Sequence, residues 1–216
     1  MGDAINIVGR SSERESVSQG VVRSLVGTPD GALHTADYVL GKALEGRLFH
    51  AAVGSLTTPT TFRVGADADQ PEAVIDVPTG TTIVPVSIQA YLEDAAGTDN
   101  EIVAQANPAV VGAGTSTTGT IYSARLNSGE SSRCTFRYTY SGNGTAPSSY
   151  IEFYRDGNAF ANEADTRGLK FAWSIQQAAP VVLVGPAALV IYIDGTGTAP
   201  AGYLQLAFME FSSALI

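Results

Sequence analysis

Residues 133–140 constrain this chain more than any other stretch. Cys134, Phe136, Tyr138 and Tyr140 fall on one side of an extended backbone, and Arg133, Thr135, Arg137 and Thr139 fall on the other. Period-two alternation is the signature of a half-buried strand. A slip of one residue would turn every aromatic to solvent, so the register is expected to be firm. The same period recurs along the chain. Val86, Ile88, Ala90 and Leu92 alternate with Ser87, Gln89, Tyr91 and Glu93, and Ile102, Ala104 and Ala106 alternate with Val103 and Gln105.

Turn chemistry separates these runs. Residues 94–100, 112–119, 141–145 and 194–200 are rich in Gly, Ser, Thr, Asn and Asp, the residues that supply turns. Asp156-Gly157 suits a tight hairpin turn after a strand at 150–154. Further strands are expected at 47–53, 60–64, 74–77 and 120–126, and on the face shared by Phe171, Trp173 and Ile175. Residues 203–211 are nearly all apolar and should form a central strand. The 23 glycines and 10 prolines are too many for a helical bundle. The expectation is an all-β protein, an antiparallel β-sandwich, with a jelly roll favoured by the long connections.

Between Lys170 and Asp194 there is no charged residue. A membrane-spanning helix of that length would need unbroken backbone pairing. Pro180, Gly185 and Pro186 interrupt it, and three strands separated by breaks fit better. Membrane insertion is therefore not expected.

Residues 1–46 read differently. Short apolar groups stand among Ser, Gly and charges, with one helical stretch from about Thr35 to Glu45, in which Gly41 costs about 1 kcal/mol relative to Ala. Such a segment has too little apolar surface to fold alone. It reads as an extended N-terminal arm, followed by a β-sandwich domain at 47–216. Ile5, Ile7, Val8, Val21, Val22, Leu25 and Val26 have no local core and are expected to anchor on a partner surface. The first residues lack the basic and apolar runs of a secretion signal, and Asn6 stands where an acylation motif has Ser or Thr.

No catalytic set stands out. The two histidines, His34 and His50, and the one cysteine, Cys134, lie in separate regions, too few and too scattered for a zinc centre. Cys134 alternates with aromatics and reads as a core thiol. Asp67, Asp69 and Glu72 form one acidic cluster and Asp94, Asp99, Asn100 and Glu101 another, but neither has calcium-loop spacing. Asn143-Gly144-Thr145 matches a glycosylation acceptor. The reading is a non-enzymatic protein with no cofactor and no metal.

The net charge of −9 argues against a binder of nucleic-acid phosphates. Lys42 and Lys170 are the only lysines, so ten of the twelve basic residues are arginine. Arginine's planar fork suits ordered shared contacts. Arg125, Arg133, Arg137, Arg155 and Arg167 are candidates to meet acidic loops of neighbouring copies, with Arg133 and Arg137 the strongest.

The segments 77–93, 150–157, 179–193 and 202–211 carry a resemblance to bacteriophage virion structural proteins with a single jelly roll. The resemblance implies a capsid subunit, located in the virion and made in the host cytoplasm. Its partners would be its own copies and other virion proteins, reached in part through the arm. A head-decoration or fibre-tip trimer is the alternative within that class. A carbohydrate-binding sandwich, with Tyr91, Tyr122 and Tyr154 stacking on sugars, is the alternative outside it.

Overall fold

The structure, a computed structural model, describes residues 38–94, 99–142, 144–146, 149–159 and 168–215. Helix α1 (Tyr38–Leu44) leads into β1 (Leu48–Val53), β2 (Thr60–Thr61), β3 (Arg63–Val64), β4 (Ala73–Val77) and β5 (Thr81–Asp94). Then come β6 (Asp99–Asn107), β7 (Thr115–Thr118), β8 (Ile121–Ser123), β9 (Thr135–Gly142) and β10 (Ile151–Ala159). β11 (Leu169–Ser174), β12 (Leu183–Val184), β13 (Ala187–Gly195) and β14 (Ala201–Ser212) complete the strands, and a short 3-10 turn follows at Ser213–Leu215. Strand accounts for 57% and helix for 5%, so the chain is all-β.

Two sheets pack face to face. The first runs β11-β5-β14-β1-β8 and the second β10-β6-β13-β4-β9-β7. Setting aside the β7–β9 segment and the two-residue strands leaves β1-β14-β5-β11 facing β4-β13-β6-β10. Every connection between consecutive members of that set crosses between the sheets, except β6 to β10, which pair with each other. This is jelly-roll connectivity. As its composition requires, β14 is central, held between β5 and β1. The uncharged stretch after Lys170 is indeed split, into β11, β12 and β13, and no helix among the described residues is long and apolar enough to cross a membrane.

The core lies between the sheets. Phe49, Ala51 and Val53 from β1 meet Ile75 and Val77 from β4, Ile102 and Ala104 from β6, and Leu204, Leu206 and Phe208 from β14. Phe153 meets Trp173 edge-on at 5.1 Å and closes one side of the sandwich. A second apolar cluster, with Val74, Val103, Val190, Tyr140 and Tyr192, covers the outer face of the second sheet beneath the 65–71 and 108–114 loops. Helix α1 lays Val39 and Ala43 on the outer face of the first sheet, against Leu48, Met209 and Phe211. The helical stretch read at 35–45 is thus present from Tyr38 and packs on the body.

Four local readings of the sequence need correction. Tyr140 does not share a face with Phe136. Thr139 adopts φ +51°, its N–H donates to the Glu72 carbonyl, and this break turns Tyr140 to the outer cluster. Val86 leaves the face of Ile88 because the β5–β14 register shifts there, and it packs outward near α1. Asp156-Gly157 is no hairpin turn: both lie inside β10, opposite Ile102 and Glu101. Part of the 112–119 loop forms β7, an edge strand on β9. In each case backbone pairing with a distant strand overrides local propensity.

Candidate functional site

The arginines expected to reach neighbouring copies divide into two groups. Arg137 donates through Nη1 to Asp76 on the adjacent β4, and Asp76 also accepts the N–H groups of Val111 at 2.9 Å and Gly112 at 3.2 Å. Arg137 is therefore paired inside its own chain. Arg155 is likewise held by Glu101 and Glu152. Arg133 precedes β9 and is exposed. Its backbone N–H donates to Glu210 at 3.0 Å, which ties the loop before β9 to β14. The anchors Ile5, Ile7, Val8, Val21, Val22, Leu25 and Val26, together with His34, Asn143 and Arg167, lie outside the described residues.

The aromatics expected to stack on sugars are not brought together. Tyr91 and Tyr122 stand on the outer face of the first sheet, with β14 and β1 between their strands. Three strand spacings set them about 14 Å apart across the sheet, and the register offsets them four residues along it as well. Tyr154 belongs to the second sheet and packs partly buried against the inter-sheet core.

One apolar surface stands out instead. At the side closed by Phe153 and Trp173, the edge strand β10 and the short β12 present a groove of about 410 Å³. Ile151 is 64% exposed, Val184 56% and Val182 51%, and Pro108 joins them. A second groove, about 470 Å³, runs beside α1 between Leu40, Val86 and Ile175. The sequence marks these valines and isoleucines as strand formers. Only the meeting of two sheet edges shows that the other described residues leave them exposed.

A different kind of cleft opens on the outer face of the second sheet. It holds about 240 Å³ and is lined by Glu101, Val103 and Gln105 of β6, Arg155 of β10, Tyr192 of β13, and Tyr150 with the 66–68 loop. Pairing of β10 with β6 sets Arg155 opposite Val103 and next to Glu101. The Arg155 guanidinium grips Glu152 in a fork, at 2.7 and 2.8 Å, and reaches Glu101 with Nη1. The Tyr192 hydroxyl donates to the Ala68 carbonyl at 3.0 Å and braces one wall. Burial, with the acids Asp69 and Asp67 nearby, pushes that hydroxyl up to about 12, so it stays protonated. Sequence reasoning missed this cleft. Its legible signals were Arg155 and Glu101, and the misread turn at Asp156-Gly157 hid the strand that brings them together.

The remaining titratable groups are structural in their surroundings. Burial, aided by Glu210, pushes the Cys134 thiol far up, the opposite of what a nucleophile needs. His50 is exposed on the outer face of the first sheet, between Ala207 and Tyr122 in the strand register. Asp67 accepts the N–H of Asp69 and the amide of Gln70, while Glu72 turns toward Arg63, so the first acidic cluster does not converge. Asp99, Asn100 and Glu101 lie along β6 rather than in a loop. Among the described residues no group of three or more His, Cys, Asp or Glu is placed to hold a metal ion.

No family model matches the chain, and no curated protein matches its sequence.

Proposed function

We propose that this protein is a non-enzymatic structural subunit that works by associating with copies of itself, as a virion shell component. One observation carries the reading: the uncovered apolar groove at the β10 and β12 edges, lined by Ile151, Val182 and Val184. Exposed apolar side chains gathered in one groove suit a protein–protein contact, since leaving them in water forgoes about 25 cal/mol for each Å² that could be buried. The jelly-roll connectivity and the resemblance of the strand segments to phage virion proteins add the virion context. The segment before α1 serves as a second contact, with Val21, Val22, Leu25 and Val26 as its anchors.

Sedimentation velocity and negative-stain imaging of the purified chain test this. The expected result is closed particles, or a discrete oligomer that Ile151→Asp and Val184→Lys convert to monomer with unchanged melting. Both residues are exposed, so the substitutions disturb no core packing. A wild-type chain that stays monomeric at hundreds of micromolar would overturn the reading. So would an assembly indifferent to both substitutions. A trimer that never closes into a particle would move the protein from shell to decoration. Deleting residues 1–37, which spares α1, is expected to weaken assembly and leave the sandwich folded.

A further inference from the structure

We propose that the cleft between β6, β10 and β13 binds a neutral saccharide, with Gln105, Glu101 and Arg155 bonding to its hydroxyls and Val103 and Tyr150 facing its C–H surface. The strongest pointer is Gln105. It is only 8% exposed, it lines the cleft, and its amide has no hydrogen-bond partner among the described residues. Buried amides are nearly always paired, with the protein or with a molecule held against them. The Gln105 side chain is nine-tenths buried and lines the cleft, so a group held in the cleft is placed to bond to its amide.

The surrounding groups narrow the chemistry. A guanidinium has five N–H donors. Arg155 spends three on Glu152 and Glu101, which leaves two for a ligand. Oε2 of Glu101 has no donor among the described residues and remains an acceptor. Gln105 supplies one donor group and one acceptor. The site therefore offers donors and acceptors side by side, and a hydroxyl is the group that uses both at once. Vicinal hydroxyls match the spacing of a planar amide, carboxylate or guanidinium fork.

Charge excludes the alternatives. Arg155 is already matched by two carboxylates, and Asp67 and Asp69 stand near Tyr192. An anionic ligand would meet net negative surroundings. A cationic one would lie against the Arg155 guanidinium, which already bonds Glu101 and Glu152. The floor at Val103 and the walls at Tyr150 and Tyr192 are apolar or aromatic, as the C–H face of a sugar ring requires. About 240 Å³ accommodates one ring rather than an extended chain. The polar groups sit on strands and Arg155 is held at three points, so binding orders little that is not already ordered.

The inference is independent of self-association, because Gln105, Glu101 and Arg155 do not line the apolar groove. The probes are an array of immobilised neutral and anionic oligosaccharides, and titration of free glucose, galactose, rhamnose and N-acetylglucosamine followed by NMR. Neutral glycans are expected to bind, with free monosaccharides weak, at millimolar Kd. Gln105→Leu, which keeps side-chain volume, and Arg155→Ala, at an exposed position, should each weaken binding about tenfold or more, the equivalent of one lost hydrogen-bonded contact. Both should melt within a few degrees of wild type. No neutral glycan bound in either format would overturn the proposal. Binding of sulfated or sialylated glycans alone would also overturn it, as would binding unchanged in both variants.

Discussion

Oε1 of Glu72 lies 3.9 Å from Nε of Arg63, too far for a hydrogen bond, although both side chains are turned into the protein. Arg63 directs Nη2 to Gln70 and to the Tyr140 carbonyl instead. Glu72 is left buried, with that oxygen unpaired and Asp194 nearby. Burial outweighs the pull of Arg63 and pushes its carboxyl up to about 8. An unfolded glutamate titrates near 4.5, so the folded chain holds this proton more tightly. The stabilisation is full below pH 4.5, falls as pH rises toward 8, and is lost above it. The slope within that window approaches about 1.4 kcal/mol per pH unit. Melting curves from pH 4.5 to 9 should show this fall, and Glu72→Gln should flatten it and raise stability at pH 8–9. Parallel profiles for the two proteins would contradict the assignment.

Asp76 holds three donors at once: the guanidinium of Arg137 and the N–H groups of Val111 and Gly112. Asp76→Ala strands all three in a largely buried setting. The expected cost is about 3 kcal/mol, the usual penalty for removing one member of a buried charged pair. Urea unfolding measures it. A loss below 1 kcal/mol would mean that water replaces the carboxylate.

Thr139 is β-branched yet sits at φ +51°, in the left-handed region. That conformation costs an ordinary side chain about 1–2 kcal/mol. Glycine normally weakens a strand. Here Thr139→Gly is expected to leave stability unchanged or raise it by up to about 1 kcal/mol, since the relief of strain opposes the larger unfolded-state entropy. A loss of 1 kcal/mol or more in chemical denaturation would count against the strained backbone.

Two glycines should respond in opposite directions. A Cβ at Gly202 would stand 2.2 Å from the Tyr91 carbonyl oxygen, where β14 shifts register against β5. Backbone cannot yield as a flexible side chain does, so Gly202→Ala is expected to cost about 3 kcal/mol. Gly41 lies mid-helix in α1 with nothing within 4 Å of the same position. Gly41→Ala should stabilise by up to about 1 kcal/mol. Thermal melts of both variants check the pair of signs.

Much of the fold was legible because side-chain alternation along a strand is local. Ile102, Ala104 and Ala106 face the core, and the near-uniform apolar run of β14 places it centrally, as read. The errors cluster where one residue changes the phase. Thr139 and Val86 carry ordinary strand chemistry, and nothing in their neighbours announces that the backbone shifts there. Asp156-Gly157 has turn chemistry but is held extended by β6, about fifty residues earlier.

The amino-acid order by itself determined the class of architecture, because period-two hydrophobicity with frequent breakers can bury its apolar faces only between sheets. It also determined the burial of Cys134 among aromatics. The tertiary structure alone decided which polar residues meet. Glu101, Gln105 and Arg155 share a cleft, and Arg137 is taken by Asp76, through pairings between strands far apart in sequence. Those contacts depend on strand order and register. These are set by the packing of the whole core, and a short window of sequence does not contain that information.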